Sequence, residues 1–311
     1  MLKWIKYILG IAILAFLVWY LVGHWQSVKA LLKLNALELS IIYFASFVGT
    51  FNSAVVVIAI LSPMGVKTLL VDMVILQNAR ALLNYVPMKF GTLFMANYLK
   101  RHYGLRYSHF GTFSIFLTLL LSVAACLIGL FSMILVYGLD SVQKQILAGV
   151  FLVCLTASVF MIFVPLPVPN GSSKLAVLFR EFLLGRSAIT KNKRSLFTAG
   201  VFLLLNFIIT AVRLAVIYQS MGVKVHPAGF LVLGALGYII MFVNLTPGAI
   251  GIRETVLGAG AVVLGIPLDA GLTAALIDRA ITLSWAFIVG GICTGLIWHR
   301  SPADFRKNNN T

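Results

Sequence analysis

Tyr107 to Leu139 reads YSHFGTFSIFLTLLLSVAACLIGLFSMILVYGL, 33 residues without a Lys, Arg, Asp or Glu. A bilayer crossing takes about 20 apolar residues in a helix, which satisfies its own backbone hydrogen bonds where no water is present to do so. Five more charge-free runs lie on either side: Tyr7–Gly23, Leu39–Val66, Gln145–Ser173, Ser195–Val212 and Ala280–Trp298. The whole chain is 61% hydrophobic and 10% charged, with mean hydropathy +1.03. Soluble domains run near 45–50% apolar and about 25% charged, so a water-soluble fold is excluded. The reading is an all-α, polytopic membrane protein with about six spanning helices.

Lys3 and Lys6 ahead of the first run resemble the start of a signal peptide, but Gly-His-Trp-Gln follows Val22 in place of a small-residue cleavage site. A retained first helix is expected. Cys126, Cys154 and Cys293 all fall inside apolar runs and show no disulfide or metal spacing. Trp4, Tyr7, Trp19, Tyr20, Trp25 and Trp298 flank apolar runs, as an aromatic belt does.

Lysine and arginine set the expected orientation. With a cytoplasmic N-terminus, the inner segments carry fifteen of them, among them Lys67, Lys100, Arg101, Arg106 and the group from Lys174 to Arg194. The outer segments carry Lys29, Lys33, Lys144 and Lys224. The positive-inside rule then places both termini in the cytoplasm, in a multi-pass protein of the plasma (inner) membrane. The net charge of +16 sits mostly beside membrane ends, where anionic headgroups attract it, so nucleic acid is not an expected partner. His24 to Ser40 alternates polar and apolar residues with helical spacing, suiting either an amphipathic surface helix or a connecting loop. Residues 1–311 form a single transmembrane domain, whose halves, about 39–137 and 196–298, are joined by a basic cytoplasmic linker, 165–195.

The halves repeat three landmarks in the same order. Met64-Gly65-Val66-Lys67 is matched by Met221-Gly222-Val223-Lys224, and Gly104-Leu105 by Gly265-Ile266. Between them, an Asn-x-x-Pro-x-x-x-Gly element on Asn84, Pro87 and Gly91 is matched by one on Asn244, Pro247 and Gly251, with Gly248 directly after the second proline. Pro and Gly break a helix inside an apolar region, and the piece after each break is too short to cross alone. Lys67 and the Lys100–Arg106 group favour the same side, so the first element is expected to be a re-entrant hairpin from the cytoplasm. The second, with nearly uncharged ends, suits the opposite side, which makes the repeat inverted. Such broken helices in corresponding places point to a midplane site whose helix N-termini offer amides to anions. Two Pro-kinked spanning helices are the alternative.

Charges also occur within or beside the apolar segments: Asp72, Arg80, Lys89, Arg213, Arg253, Glu254, Asp278 and Arg279. Each costs roughly 2.5–3.5 kcal/mol at a bilayer centre on insertion scales, so each needs a partner or a cavity. Neighbours on a helix do not face each other, so neither Arg253 with Glu254 nor Asp278 with Arg279 pairs with itself. Cross-pairing of the two couples would satisfy both, leaving Lys89, Arg213 and one further arginine to hold phosphate. A purely structural ion-pair cluster is the other reading. No acid-base pair, His cluster or P-loop points to an enzyme.

Asn244-Leu245-Thr246-Pro247-Gly248-Ala249-Ile250-Gly251-Ile252-Arg253-Glu254, then Gly265-Ile266-Pro267 and Ala274 to Arg279, resembles the lysylphosphatidylglycerol synthase transmembrane-region family of flippase-like proteins. Pro87 to Gly91 and Tyr98 to Arg101 extend the resemblance to the first half, with Met88 and Thr92 where a Gly and an acid are usual. The charge-free stretch Gly111 to Ala125 lacks the family's Glu-Arg pair. The resemblance implies a flippase-like transporter that moves an anionic phospholipid or polyprenyl-phosphate-linked lipid between leaflets. Lipid synthesis is not implied, because the chain ends at Thr311 and a transferase domain would need hundreds of further residues. An integral-membrane enzyme or accessory subunit of envelope lipid or glycan synthesis is the alternative. Arg253, Arg279, Arg213 and Lys89 are the expected headgroup ligands, with Glu254 and Asp278 as counterions. No cofactor, metal or catalytic residue is expected; the expected partners are a membrane lipid, a second copy of the chain and envelope-biosynthesis enzymes.

Overall fold

The computed structural model describes residues 34–85, 90–164, 174–240 and 252–299. Among these residues every regular element is a helix: α1 Ala36–Leu61, α2 Leu70–Leu83, α3 Phe90–Tyr103, α4 Tyr107–Ser132 with a π-helical continuation Met133–Tyr137, α5 Val142–Phe163, α6 Lys174–Lys191, α7 Lys193–Ser220, α8 Pro227–Ile239, α9 Ile252–Val263 and α10 Leu268–His299. Five stretches are long and apolar enough to span: Ala36–Met64, Tyr107–Tyr137, Val142–Phe163, Lys193–Ser220 and Leu268–His299. They match five of the six charge-free runs, and the first run, Tyr7–Gly23, lies outside the described residues.

Their ends differ from the charge-free limits for local reasons. α1 begins at Ala36 because Asn35 and Glu38 form a capping box, each side chain accepting from the other's backbone N–H at 2.9 and 2.8 Å. α7 runs past Arg213 and α10 starts ten residues before Asp278, so both helices carry charges in their interiors. The expected linker 165–195 includes a helix that is docked, not a loose tether. On α6, Phe182, Leu183 and Ile189 are buried, and Arg186 donates to the carbonyls of Met161 and Val164 at 2.9 and 3.0 Å, ending α5 against it.

α1 and α7 form an antiparallel central pair. Asn52 Nδ2 donates to Phe202 O at 2.6 Å, and Ser62 Oγ meets Ser195 Oγ at 3.2 Å. The chain therefore leaves α1 at one end of the molecule and α7 at the other, and each exit leads into a helical hairpin. In the first, α2 and α3 run antiparallel, with Tyr103 opposite Asp72 and Thr92 opposite Asn84. In the second, α8 and α9 do the same, with Leu257 and Arg253 beside Gly237 and Gly260 beside Leu233 and Leu236. The arms have 14, 14, 13 and 12 residues. At 1.5 Å per residue that is about 20 Å, short of the ~30 Å hydrocarbon core, so both hairpins are re-entrant and enter from opposite ends.

The backbone repeats with the sequence. Gly65 and Gly222, then Gly104 and Gly265, all adopt positive φ between 70° and 79°, ending corresponding helices. Val66 N–H donates to Leu61 O as Val223 N–H does to Tyr218 O, the six-to-one closure that a left-handed glycine permits. The halves thus share one element order and run in opposite senses, as an inverted repeat.

Both hairpins lie along α10. α9 packs on its N-terminal half through small residues, and a Cβ on Gly271 would sit 3.2 Å from Gly258 Cα. α2 packs on the C-terminal half, where a Cβ on Gly290 would sit 2.7 Å from Asn78 O. Trp285 Nε1 donates to Asn78 Oδ1 at 3.1 Å, and the Tyr85 ring lies 5.8 Å from that of Phe287. The inner ends of the two hairpins therefore converge on the middle of α10.

The end from which the first hairpin enters collects Lys67, Lys100, Arg101, Arg106, Arg180, Arg186, Lys191, Lys193 and Arg194. Lys144 and Lys224 lie at the other end.

A buried charge cluster at the meeting of the hairpins

Arg253 and Glu254 open α9, while Asp278 and Arg279 lie within α10 where α9 runs antiparallel to it. The adjacent charges diverge around their own helices and meet across the interface. Arg253 Nη2 donates to Asp278 Oδ2 at 2.8 Å, and Arg279 Nη1 to Glu254 Oε1 at 2.8 Å. This is the cross-pairing that would satisfy both couples. Arg213 on α7 was expected to be free for a ligand. It instead donates to Asp278 Oδ1 and, at 3.0 Å, to Thr282 Oγ1, so Asp278 holds two guanidinium groups.

Three cations against two anions leave the cluster at +1. Burial is graded: the side chains of Asp278 and Arg279 are 2% and 5% exposed, Glu254 11%, Arg213 16% and Arg253 25%. Asp278 and Arg279 are thus the deepest groups, and Arg213 and Arg253 form the accessible edge. Desolvating such charges costs several kcal/mol each, offset only while the pairs and their hydrogen bonds persist.

The Asn-x-x-Pro-x-x-x-Gly element has a structural task in the first hairpin. Asn84 Oδ1 reaches across the tip to accept from the Thr92 amide at 3.0 Å and from the Thr92 hydroxyl at 3.3 Å, capping the free first turn of α3. Gly91 is required there, since a Cβ would lie 2.2 Å from Arg80 O. The Thr92 amide, one of those expected to face an anion, is therefore already taken. Pro87 and Lys89 of this element, and Asn244, Pro247, Gly248 and Gly251 of the second, lie outside the described residues.

Several contributors were not singled out from the sequence. Tyr43 on α1 shares a 2.6 Å hydrogen bond with Ser284, and its ring lies 6.2 Å from Trp285, which tethers Asn78. Nothing in the local pattern marks these residues, because their partners are 241 and 207 positions away. A shallow depression of about 560 Å³, lined by Pro63, Ala188, Lys191, Asn192 and Lys193, lies at the basic end, away from the charge cluster.

Oppositely entering hairpins that meet at an ion-paired cluster within the apolar layer define a polytopic membrane protein built as an inverted repeat of broken helices. The chain belongs to the family described as lysylphosphatidylglycerol synthase TM region, whose family model matches residues 7–291. No curated protein and no solved structure matches it.

Proposed function

We propose that the chain is a flippase-like transporter, without chemistry of its own, that moves an anionic phospholipid or a polyprenyl-phosphate-linked lipid between leaflets. The observation that supports this reading is the excess positive charge of the cluster, with its two most accessible members, Arg253 and Arg213, sharing one carboxylate. Separating the second hairpin from α10 breaks the Arg253–Asp278 and Arg279–Glu254 pairs and leaves guanidinium forks that fit phosphate. The acids then restore the pairs once the lipid has left, so the empty site is not an uncompensated charge. Lys89 contributes from the first hairpin. The basic end faces the cytoplasm of an inner membrane, following the positive-inside rule.

The transport test is reconstitution into liposomes with headgroup-labelled anionic lipids. Wild-type protein should move label faster than protein-free vesicles, and equal rates across phosphatidylglycerol and polyprenyl phosphates would sink the proposal. For orientation, Lys191→Cys should resist an impermeant thiol reagent in intact cells, and modification there would reverse the topology.

A further inference from the structure

The repeat puts Arg80 at a telling place. Over the stretch from α1 through α2, equivalent residues of the halves are 157 positions apart, as Gly65 and Gly222 are, so Arg80 corresponds to Gly237. In the second hairpin the space beside Gly237 is occupied from the other arm: a Cβ there would lie 3.7 Å from Arg253 Nη2. In the first hairpin Arg80 itself extends toward the other arm, its Nη1 3.8 Å from Met95 Sδ. Each hairpin therefore holds one guanidinium at the same pseudo-symmetric position, supplied from opposite arms.

The two differ in their counterions. Arg253 has Asp278, whereas Arg80 has Gln77 Oε1 at 3.4 Å and the Met95 sulfur. The chain has eight acidic residues, which allows a full account. Glu38 caps α1, Asp72 accepts from Tyr103, Asp140 pairs with Lys144, Glu181 with Arg106, Glu254 with Arg279, and Asp278 with Arg213 and Arg253. Asp269 is exposed in the first turn of α10, and Asp304 follows that helix in the sequence. No acid occurs at positions 86–89 or 241–251 of the sequence either. Arg80 sits ten residues into α2, about 15 Å from its outer end, too deep for a side chain to snorkel to the headgroup layer. A half-buried cation at that depth, with no carboxylate beside it among the described residues, calls for an anion from outside them.

We infer that Arg80 is an oxyanion-binding residue, the group on the first hairpin that receives a phosphate-bearing headgroup arriving from the basic end. Its place on a transport path rests on the reading above; its affinity for an oxyanion does not. Binding is charge-assisted and reaches both phosphate oxygens when the guanidinium presents its fork.

The test uses the full chain in neutral-lipid nanodiscs, with thermal unfolding followed against added phosphatidylglycerol, phosphatidylcholine and inorganic phosphate. Ligands that bind the folded state raise Tm in a saturable manner. Wild type should be stabilised by phosphatidylglycerol and not by phosphatidylcholine. Arg80→Gln should weaken that response at least about tenfold, and Arg80→Lys should retain part of it. Without ligand, Arg80→Gln should unfold at or above the wild-type Tm, since an uncompensated charge has been removed. Stabilisation by phosphate alone assigns the site to free oxyanion as well as lipid, and stabilisation by phosphatidylglycerol only assigns it to lipid. An unchanged response in Arg80→Gln, a lowered basal Tm that Arg80→Lys restores, or no response in wild type overturns the assignment. Arg80-dependent binding without lipid movement in liposomes would keep this site and reject the transport reading.

Discussion

The two hairpins have the same parts and are held differently. The second arm of the second hairpin, α9, lies along α10 with Gly258 against Gly271 and both of its charges paired there. The second arm of the first, α3, lies mostly away from α4, the helix that corresponds to α10. It is fixed chiefly to α2, through Asn84 at the tip and the 2.6 Å bond from Tyr103 to Asp72 at the mouth. One hairpin is locked by ion pairs to a spanning helix, and the other keeps an arginine that no carboxylate among the described residues holds. A symmetric fold thus carries an asymmetric distribution of ion pairs, and under the proposed transport that difference would set where an anionic substrate is drawn in and where it is released.

The largest effect should come from unlocking the second hairpin. Asp278→Asn removes the anion shared by Arg213 and Arg253 and strands two cations, and the loss should be about 3–5 kcal/mol of stability. Thermal unfolding and the yield of folded protein measure it; a wild-type Tm would show that the cluster is solvated and the contrast between the hairpins is wrong.

Glycine positions sharpen the same comparison. Gly91→Ala in the first hairpin drives a Cβ to 2.2 Å from a carbonyl and to 2.7 Å from Asn84 Oδ1, so it should destabilise by about 1–3 kcal/mol. Gly237→Ala in the second meets Arg253 at an ordinary 3.7 Å and should stay within about 0.5 kcal/mol of wild type. Equal effects would mean that the arms are not packed as described.

A smaller difference is expected in dynamics. In nanodiscs, amide hydrogen exchange across α3 should be faster than across α9, because local opening of α3 breaks fewer packed contacts. Slower exchange in α3 would reverse the assignment of the locked hairpin.

The smallest effect is the control outside both hairpins. Lys144 donates to Asp140 at 2.7 Å and holds its carboxyl below the usual range. The stability this pair adds is present above the unfolded carboxylate range and is lost as pH falls through the depressed folded value. Asp140 is fully exposed and screened by solvent, so Asp140→Asn should leave Tm unchanged at neutral pH. A clear drop would show that this loop matters more to the fold than either hairpin contrast suggests.

The amino-acid sequence by itself determined the class, the number of apolar runs, the two broken elements and their opposed senses. These follow from residue chemistry over short distances: apolar length against bilayer thickness, Pro and Gly against helix continuity, and lysine placement. The repeated positive-φ glycines were legible as matched landmarks before their backbone angles were known. Helix limits were legible only where no charge intervened. Charge-free runs stopped at Val212 and began again at Ala280, beside the very residues of the cluster, yet both helices continue through those charges because ion pairs neutralise them within the apolar layer. Tertiary structure decided that Arg213, 65 positions from Asp278, pairs with it and so extends α7 as an apolar-layer helix. It likewise decided that Arg80 has no such partner among the described residues. Spacing along one helix shows which neighbours cannot pair, but which distant carboxylate reaches a guanidinium depends on how helices cross, and that is set by the contacts of glycine with glycine and tryptophan with asparagine along α10.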